Sequence, residues 1–197
     1  MLTVGFDLDM TLVDSSQAIL LTTQKVLKSL DITVEEAVIT QSVGLPIRDS
    51  FKVWVGDQNV QAYESYVTHY QSTGYLSADV LPGAKELLLE LVGRGIKVVI
   101  ITAKNKKSAE IQLSHLGIPY SEIVGGAFRE SKTEAMLKTG CVEYVGDHIE
   151  DYAAAEKAGI HFIGVATNPM QELETVSQGK FPVIKSLNDF WGHSILQ

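Results

Sequence analysis

The stretch "GFDLDMTLVDS" (5–15) sets Asp7, Asp9 and Asp14 within eight positions, directly behind a short apolar run. If that run is a strand, its carboxyl end delivers Asp7 and a turn brings Asp9 near the same space. Open parallel α/β sheets bind ligands at the carboxyl ends of their strands. Aspartate is also a common turn former and helix cap. Two carboxylates this close to a buried strand nevertheless repel each other unless a cation or a shared proton intervenes. "YVGDHIEDYAAAEKAG" (144–159) repeats the design, with a glycine, Asp147, and then Glu150 and Asp151 opening a helix. Alone, acids in a first helical turn suit the helix dipole. Two acid-bearing strand ends in one sheet can converge, and oxygen donors in that number suit Mg²⁺, which then takes a substrate phosphate.

Two further positions extend the set. Thr102 ends "KVVIIT" (97–102) and precedes "AKNKKSAE" (103–110), so a hydroxyl and helix N-terminal amides face one crevice. Such a combination holds a phosphate. Lys132, in "GGAFRESKTEAML" (125–137), adds a point charge at another helix start. In isolation each has a plainer meaning, a strand residue for Thr102 and a solvated lysine for Lys132.

The elements that must position these groups follow from periodicity. Runs at 2–8, 97–102, 141–146, 161–167 and 181–186 are rich in β-formers and read as strands. Segments 83–95, 106–117, 132–140 and 149–159 read as helices closed by glycine. Their alternation implies right-handed crossovers and an α/β fold with a doubly wound, mostly parallel sheet. Residues 15–80 break the pattern, with no convincing strand and helices at 15–30 (capped by Ser15), 33–40 and 60–74. The economical account is a core of residues 1–14 and 81–197 with a helical cap at 15–80. The chain re-enters the core near Pro82, which suits a helix's first turn.

Composition bounds the possibilities. In 197 residues, 45% hydrophobic and 20% charged, a globular core is expected. Sixteen basic against twenty-four acidic residues give −8 without any long basic run, which argues against nucleic acid as partner. The single cysteine, Cys141, forms no internal disulfide and fits a reducing compartment. The longest apolar stretch, 97–102, is too short to span a membrane, and a strand starting almost at Met1 leaves no room for a signal peptide. A soluble cytoplasmic protein is the expectation.

D-x-D-x-T at 7–11, Thr102, Lys132 and G-D-x-x-x-D at 146–151 resemble, in order and spacing, the four motifs of the haloacid dehalogenase (HAD) superfamily of phosphohydrolases. The helical insertion resembles the cap of its phosphoglycolate phosphatase and β-phosphoglucomutase branch. The resemblance implies a Rossmann-like core and an Mg²⁺-dependent phosphatase acting on a small phosphate ester. Asp7 would be the nucleophile, forming an aspartyl-phosphate. Asp9 would protonate the leaving oxygen and then deprotonate the hydrolytic water. The metal would be held by the Asp7 carboxylate, the Asp9 backbone carbonyl and Asp147, with Asp151 as a ligand or just behind. Thr102 and Lys132 would hold the phosphoryl oxygens. Met10 stands where the family usually carries glycine, and Lys104 rivals Lys132 as a phosphate contact.

Among competing readings, a dehalogenase needs no acid two residues after its nucleophile. A phosphomutase of the β-phosphoglucomutase type uses a histidine in the first cap helix, and 15–30 has none. A receiver-like phospho-acceptor domain lacks a large insertion after its first strand. Residues 42–51, "SVGLPIRDSF", resemble the family's substrate-specificity loop, where Arg48 could bind a second anionic group of the substrate.

Overall fold

The computed structural model describes residues 1–168 and 172–196. In chain order it contains β1 (Thr3–Phe6), β2 (Val13–Asp14), α1 (Ser16–Ser29), α2 (Glu36–Gln41), α3 (Ile47–Val55) and α4 (Asn59–Ser72). There follow β3 (Asp79–Val80), α5 (Ala84–Gly93), β4 (Lys97–Thr102), α6 (Lys106–Leu116), β5 (Glu122–Gly125) and α7 (Glu130–Thr139). The chain closes with β6 (Glu143–Gly146), α8 (Ile149–Ala158), β7 (His161–Val165), α9 (Leu173–Ser177) and β8 (Val183–Ile184). Among the described residues, six strands form one sheet in the order β5-β4-β1-β6-β7-β8, every neighbouring pair parallel. Strands β4 and β5 build outward on one side of β1 and β6 to β8 on the other. The growth of the sheet therefore reverses beside β1, and a crevice opens at that strand's carboxyl end.

Both faces of the sheet are covered, which is why its strands read as nearly unbroken apolar runs. Along β4 the fully buried Val98 and Ile100 join one apolar cluster while Val99 and Ile101 join the other. The first cluster includes Leu87, Leu88 and Leu91 of α5 and Leu113 of α6; the second includes Met136 of α7 and Ala154 and Ala155 of α8. No helix among the described residues is long and apolar enough to cross a membrane.

Several expectations are corrected. The sequence pattern does not mark strand β5, because "EIVG" is too short to stand out against its polar flanks. Residues 15–80 do contain strand, since β3 pairs antiparallel with β2 at Val13–Val80 and Asp14–Asp79. The 42–51 stretch is not all loop: α3 begins at Ile47, so Arg48 sits in a helical first turn. The Ser15 side chain does not cap α1; the Asp14 carboxylate takes the Ser16 N–H at 3.0 Å instead. Pro82 precedes α5 rather than lying in its first turn.

One buried polar group lies at the opposite end of the sheet from the crevice. Glu143, at the start of β6, is fully buried, and its carboxylate accepts from Ser194 Oγ and Ile195 N, each at 2.9 Å. His161 Nδ1 lies 2.9 Å from the same carboxylate. The C-terminal segment is thereby pinned to the sheet. Glu143→Ala leaves these donors without an acceptor, so it should lower unfolding free energy by about 2–3 kcal/mol in urea titration. It should also open residues near 194–196 to proteolysis before the rest of the chain.

Candidate active site

The first acid sits just past β1. The Asp7 N–H still donates to Val145 O at 2.9 Å, so the strand's pairing with β6 holds Asp7 at the sheet's edge. The chain then turns tightly: Leu8 O accepts from the N–H groups of Leu12 and Val13 at 3.0 and 3.1 Å. Met10 occupies the left-handed region at φ 62°, the backbone reason why a glycine would be at home there. Its carbonyl accepts a hydrogen bond from the Thr167 hydroxyl, and its N–H donates to Val13 O at 2.7 Å, so surrounding bonds hold the strained turn.

Asp7, Asp147 and Asp151 converge, each offering a carboxylate oxygen within 4.8 Å of the others, and all three are buried. Lys132 is buried among them rather than solvated, its Nζ donating to Asp7 Oδ1 at 2.8 Å and Asp151 Oδ1 at 2.5 Å. Gly146 makes this approach possible: a Cβ there would overlap the Asp151 carboxyl group, with Cγ at 2.7 Å. Asp147 is oriented from both sides, by Thr11 Oγ1 at 3.1 Å and Asn168 Nδ2 at 3.0 Å. His148 caps α8 through Nδ1, which accepts the Glu150 N–H at 3.0 Å, while the His148 N–H donates to Asp151 Oδ2 at 3.3 Å.

Electrostatically this cluster is incomplete. Three carboxylates against one ammonium leave two negative charges where desolvation is costly. Burial, and then the Asp151 charge, push the Asp7 carboxyl up to about 7 although Lys132 pulls it down. Asp147 is raised well above the carboxylate range by burial and by Asp7 and Asp151. Burial alone would lower the Lys132 ammonium, but Asp151 and Asp7 hold it well above its ordinary value. A crevice of about 10 Å³, roughly the space of one water, lies between Asp7, Lys132, Asp147 and Asp151. Hard oxygen donors, excess negative charge and space for one small occupant fit a divalent cation.

Asp9 is not part of that cluster. Its carboxylate turns toward Lys104, whose Nζ donates to Asp9 Oδ1 at 2.6 Å. Lys104 also donates to the Tyr70 hydroxyl at 2.7 Å and Gln112 Oε1 at 2.6 Å. An ammonium has three donors. Lys104 has spent all of them, while Lys132 gives two to carboxylates and also meets the buried Tyr144 side chain. Thr102 is buried at the end of β4, and its Oγ1 accepts the Lys104 N–H at 3.2 Å. The expected cradle of helix amides is partly closed, because Asn105 Oδ1 caps α6 by accepting from Lys107 and Ser108 N–H at 3.0 and 3.3 Å.

A cavity of about 70 Å³ lies between the sheet's carboxyl edge and the helices of residues 15–80. Asp7, Asp9, Thr102 and Lys104 line one side, and Arg48, Tyr63, Tyr66 and Tyr70 the other. The Arg48 guanidinium carbon stands 5.6 Å from the centre of the Tyr63 ring, and among the described residues no carboxylate pairs with it. Thr11, Asn168, Tyr70 and Gln112 join the site although the sequence pattern assigns them no role there. Asn168 follows β7, so the rule that strand ends carry ligands could have found it; Thr11 lay inside the D-x-D-x-T motif. Tyr70 and Gln112 gave no signal, being single polar positions on otherwise ordinary helices.

The fold and crevice define a doubly wound α/β protein with a buried, cation-seeking acidic site at the switch point of its sheet. The chain belongs to the haloacid dehalogenase-like hydrolase family, whose sequence profile matches residues 4–165. It is 30% identical to a phosphoglycolate phosphatase of Rhodospirillum rubrum over 219 aligned positions, covering 96% of this chain and 90% of that protein. It is 29% identical over 177 positions to the tyrosine-protein kinase PtkA of Mycobacterium tuberculosis, covering 82% of this chain and 61% of the kinase, so it spans about three fifths of that relative's length. A haloacid dehalogenase-like family hydrolase from Streptococcus pneumoniae shares the fold with a TM-score of 0.82 at 22% identity, covering 98% of this chain and 99% of that one.

The raised carboxyls give the metal-free protein a defined pH response. Between the ordinary carboxylate value and about 7, folded Asp7 holds a proton that the unfolded chain releases, so stability falls as pH rises through that window. In EDTA, thermal unfolding should therefore move to higher temperature as pH is lowered from 8 to about 6. Asp147→Asn, which removes one of the repelling charges, should flatten the trend.

Proposed function

We propose that the protein is a divalent-metal-dependent phosphatase that hydrolyses a small phosphate ester through an aspartyl-phosphate on Asp7. The observation that carries this reading is the Asp7–Lys132–Asp151–Asp147 cluster, a nucleophile-bearing acid beside a buried lysine. Asp7 Oδ1 is held by Lys132, and its other oxygen has no hydrogen-bond partner among the described residues, leaving it free to attack. As that oxygen bonds to phosphorus, the ester's leaving oxygen departs and takes a proton from Asp9. Asp9 then removes a proton from water, the water oxygen bonds to phosphorus, and the bond to Asp7 breaks. Thr102 and the Lys132 ammonium offset the charge on the phosphoryl oxygens. Asp7 and Asp147, with Asp151 in reach and the Asp9 backbone carbonyl as the resemblance suggests, would hold the cation, taken as Mg²⁺. When bound it supplies charge neutralisation and orientation of the phosphoryl group.

In this reading, residues 15–80 act as a cap over the core of 1–14 and 81–197, and Arg48 reads a second anion on a small substrate such as a phosphoglycolate-like monoester. The small cavity and a guanidinium with no carboxylate partner among the described residues support that choice, as does the phosphatase named among the relatives.

Asp7→Asn should abolish turnover of p-nitrophenyl phosphate while the protein still folds, and EDTA should silence the wild type until Mg²⁺ is restored. Activity within about tenfold of wild type for Asp7→Asn would remove the nucleophile from this position. Arg48→Ala should lower kcat/KM for the best natural ester by about ten- to a hundredfold, corresponding to a charge-assisted contact of roughly 1.5–3 kcal/mol. The same change should barely touch p-nitrophenyl phosphate, which carries no second anion. Equal losses on both substrates would count against a specificity role.

A further inference from the structure

We propose that Lys104 and Tyr70 are positioning residues that aim the Asp9 carboxylate, so that a tyrosine of α4 controls the acid–base group of the core. The inference rests on the phosphatase reading above. It turns on where Lys104 has placed its donors. The ammonium is nearly buried, with 8% of the side chain exposed, and binds Asp9 Oδ1, Tyr70 Oη and Gln112 Oε1 at 2.6, 2.7 and 2.6 Å. None remains for a phosphoryl oxygen, so the residue's work in this arrangement is to hold its three acceptors relative to one another.

Those acceptors come from three parts of the chain. Asp9 belongs to the turn after β1, Gln112 to α6 under the sheet's edge, and Tyr70 to α4 in the helical segment. Tyr70 is fully buried; its hydroxyl receives the Lys104 bond and donates to Gln112 Oε1 at 3.1 Å. Gln112, also fully buried, passes the chain onward by donating from Nε2 to Ser15 Oγ at 2.9 Å, immediately before α1. Burial makes each bond strong and leaves little room for substitutes, so removing one member misplaces the others. Asp9 has two rotatable side-chain bonds and no other hydrogen bond to its carboxylate among the described residues. Without Lys104 its direction is unspecified; with it, one oxygen is fixed and the other is left toward the cavity that Asp9 and Tyr70 both line. A displacement of about 1 Å in a catalytic group can cost about a hundredfold in rate.

The test separates positioning of an acid from contact with phosphate. Phenyl phosphate and p-nitrophenyl phosphate have the same ring, but phenolate is far more basic and leaves well only when protonated. Asp9→Asn, Lys104→Met and Tyr70→Phe would be compared with wild type by kcat/KM on both esters, with melting temperatures as a check on folding. Tyr70→Phe keeps the buried ring and deletes only the hydroxyl, so it remains informative if Lys104→Met is poorly folded. On phenyl phosphate, Tyr70→Phe should lose about tenfold and Lys104→Met about a hundredfold, while p-nitrophenyl phosphate should change by less than about threefold. Equal loss on the two esters would overturn the proposal and make Lys104 a phosphate contact, and no loss on either would overturn it also. Asp9→Asn tells the two levels apart. If it hydrolyses phenyl phosphate normally, the acid–base assignment itself falls. If it shows the leaving-group signature and Tyr70→Phe does not, only the positioning role falls.

Discussion

Uncompensated negative charge at the sheet's carboxyl edge is the constraint on which this molecule is built. Asp7, Asp147 and Asp151 are brought together by strands whose backbone pairing is indifferent to their repulsion, and one lysine answers them. That arrangement requires the surrounding fold to be stiff. The parallel sheet supplies the stiffness, with apolar layers on both faces and β1 bonded on either side. Hydrogen bonds from Thr11 and Asn168 then fix Asp147, while the His148 N–H does the same for Asp151. Each of these bonds also lowers the cost of keeping a carboxylate out of water.

The two lysines of the crevice illustrate how side chains of one chemical type diverge through geometry alone. Lys132 reaches inward from the first turn of α7 and shares itself between two carboxylates. Lys104 sits between β4 and α6 and is saturated by one carboxylate and two neutral oxygens. The first is committed to the acids of the core; the second joins the core to α4. Their partners therefore distinguish them where charge alone would not.

Much of this was legible in the chain itself. Aspartates following β runs marked the crevice because a buried strand end has no structural use for clustered carboxylates, and the alternation of β runs with helical periods carried the parallel sheet. What escaped notice had weak local signals. Strand β5 is four residues long with a glycine at its end, and β2 and β3 are two residues each, so none shows a period. The turn at Met10 is held by distant Thr167, and a residue 157 positions away cannot be read from local pattern. Lys104 looked like a phosphate ligand because its composition and neighbourhood suit one. Two of its three partners, Tyr70 and Gln112, depend on how α4 and α6 meet.

The small ribbon of β2 and β3 has an architectural consequence. Val13 faces Val80 and Asp14 faces Asp79, so the chain leaves the sheet and returns to it side by side. Paired antiparallel residues lie only about 5 Å apart at their Cα atoms, a gap that a two-residue turn can close. Everything between them hangs from one doorway, so the sheet's pairing does not depend on that segment's length, although its Tyr70 reaches Lys104 of the core. A lineage can therefore enlarge, shrink or replace that segment without disturbing a single strand pairing.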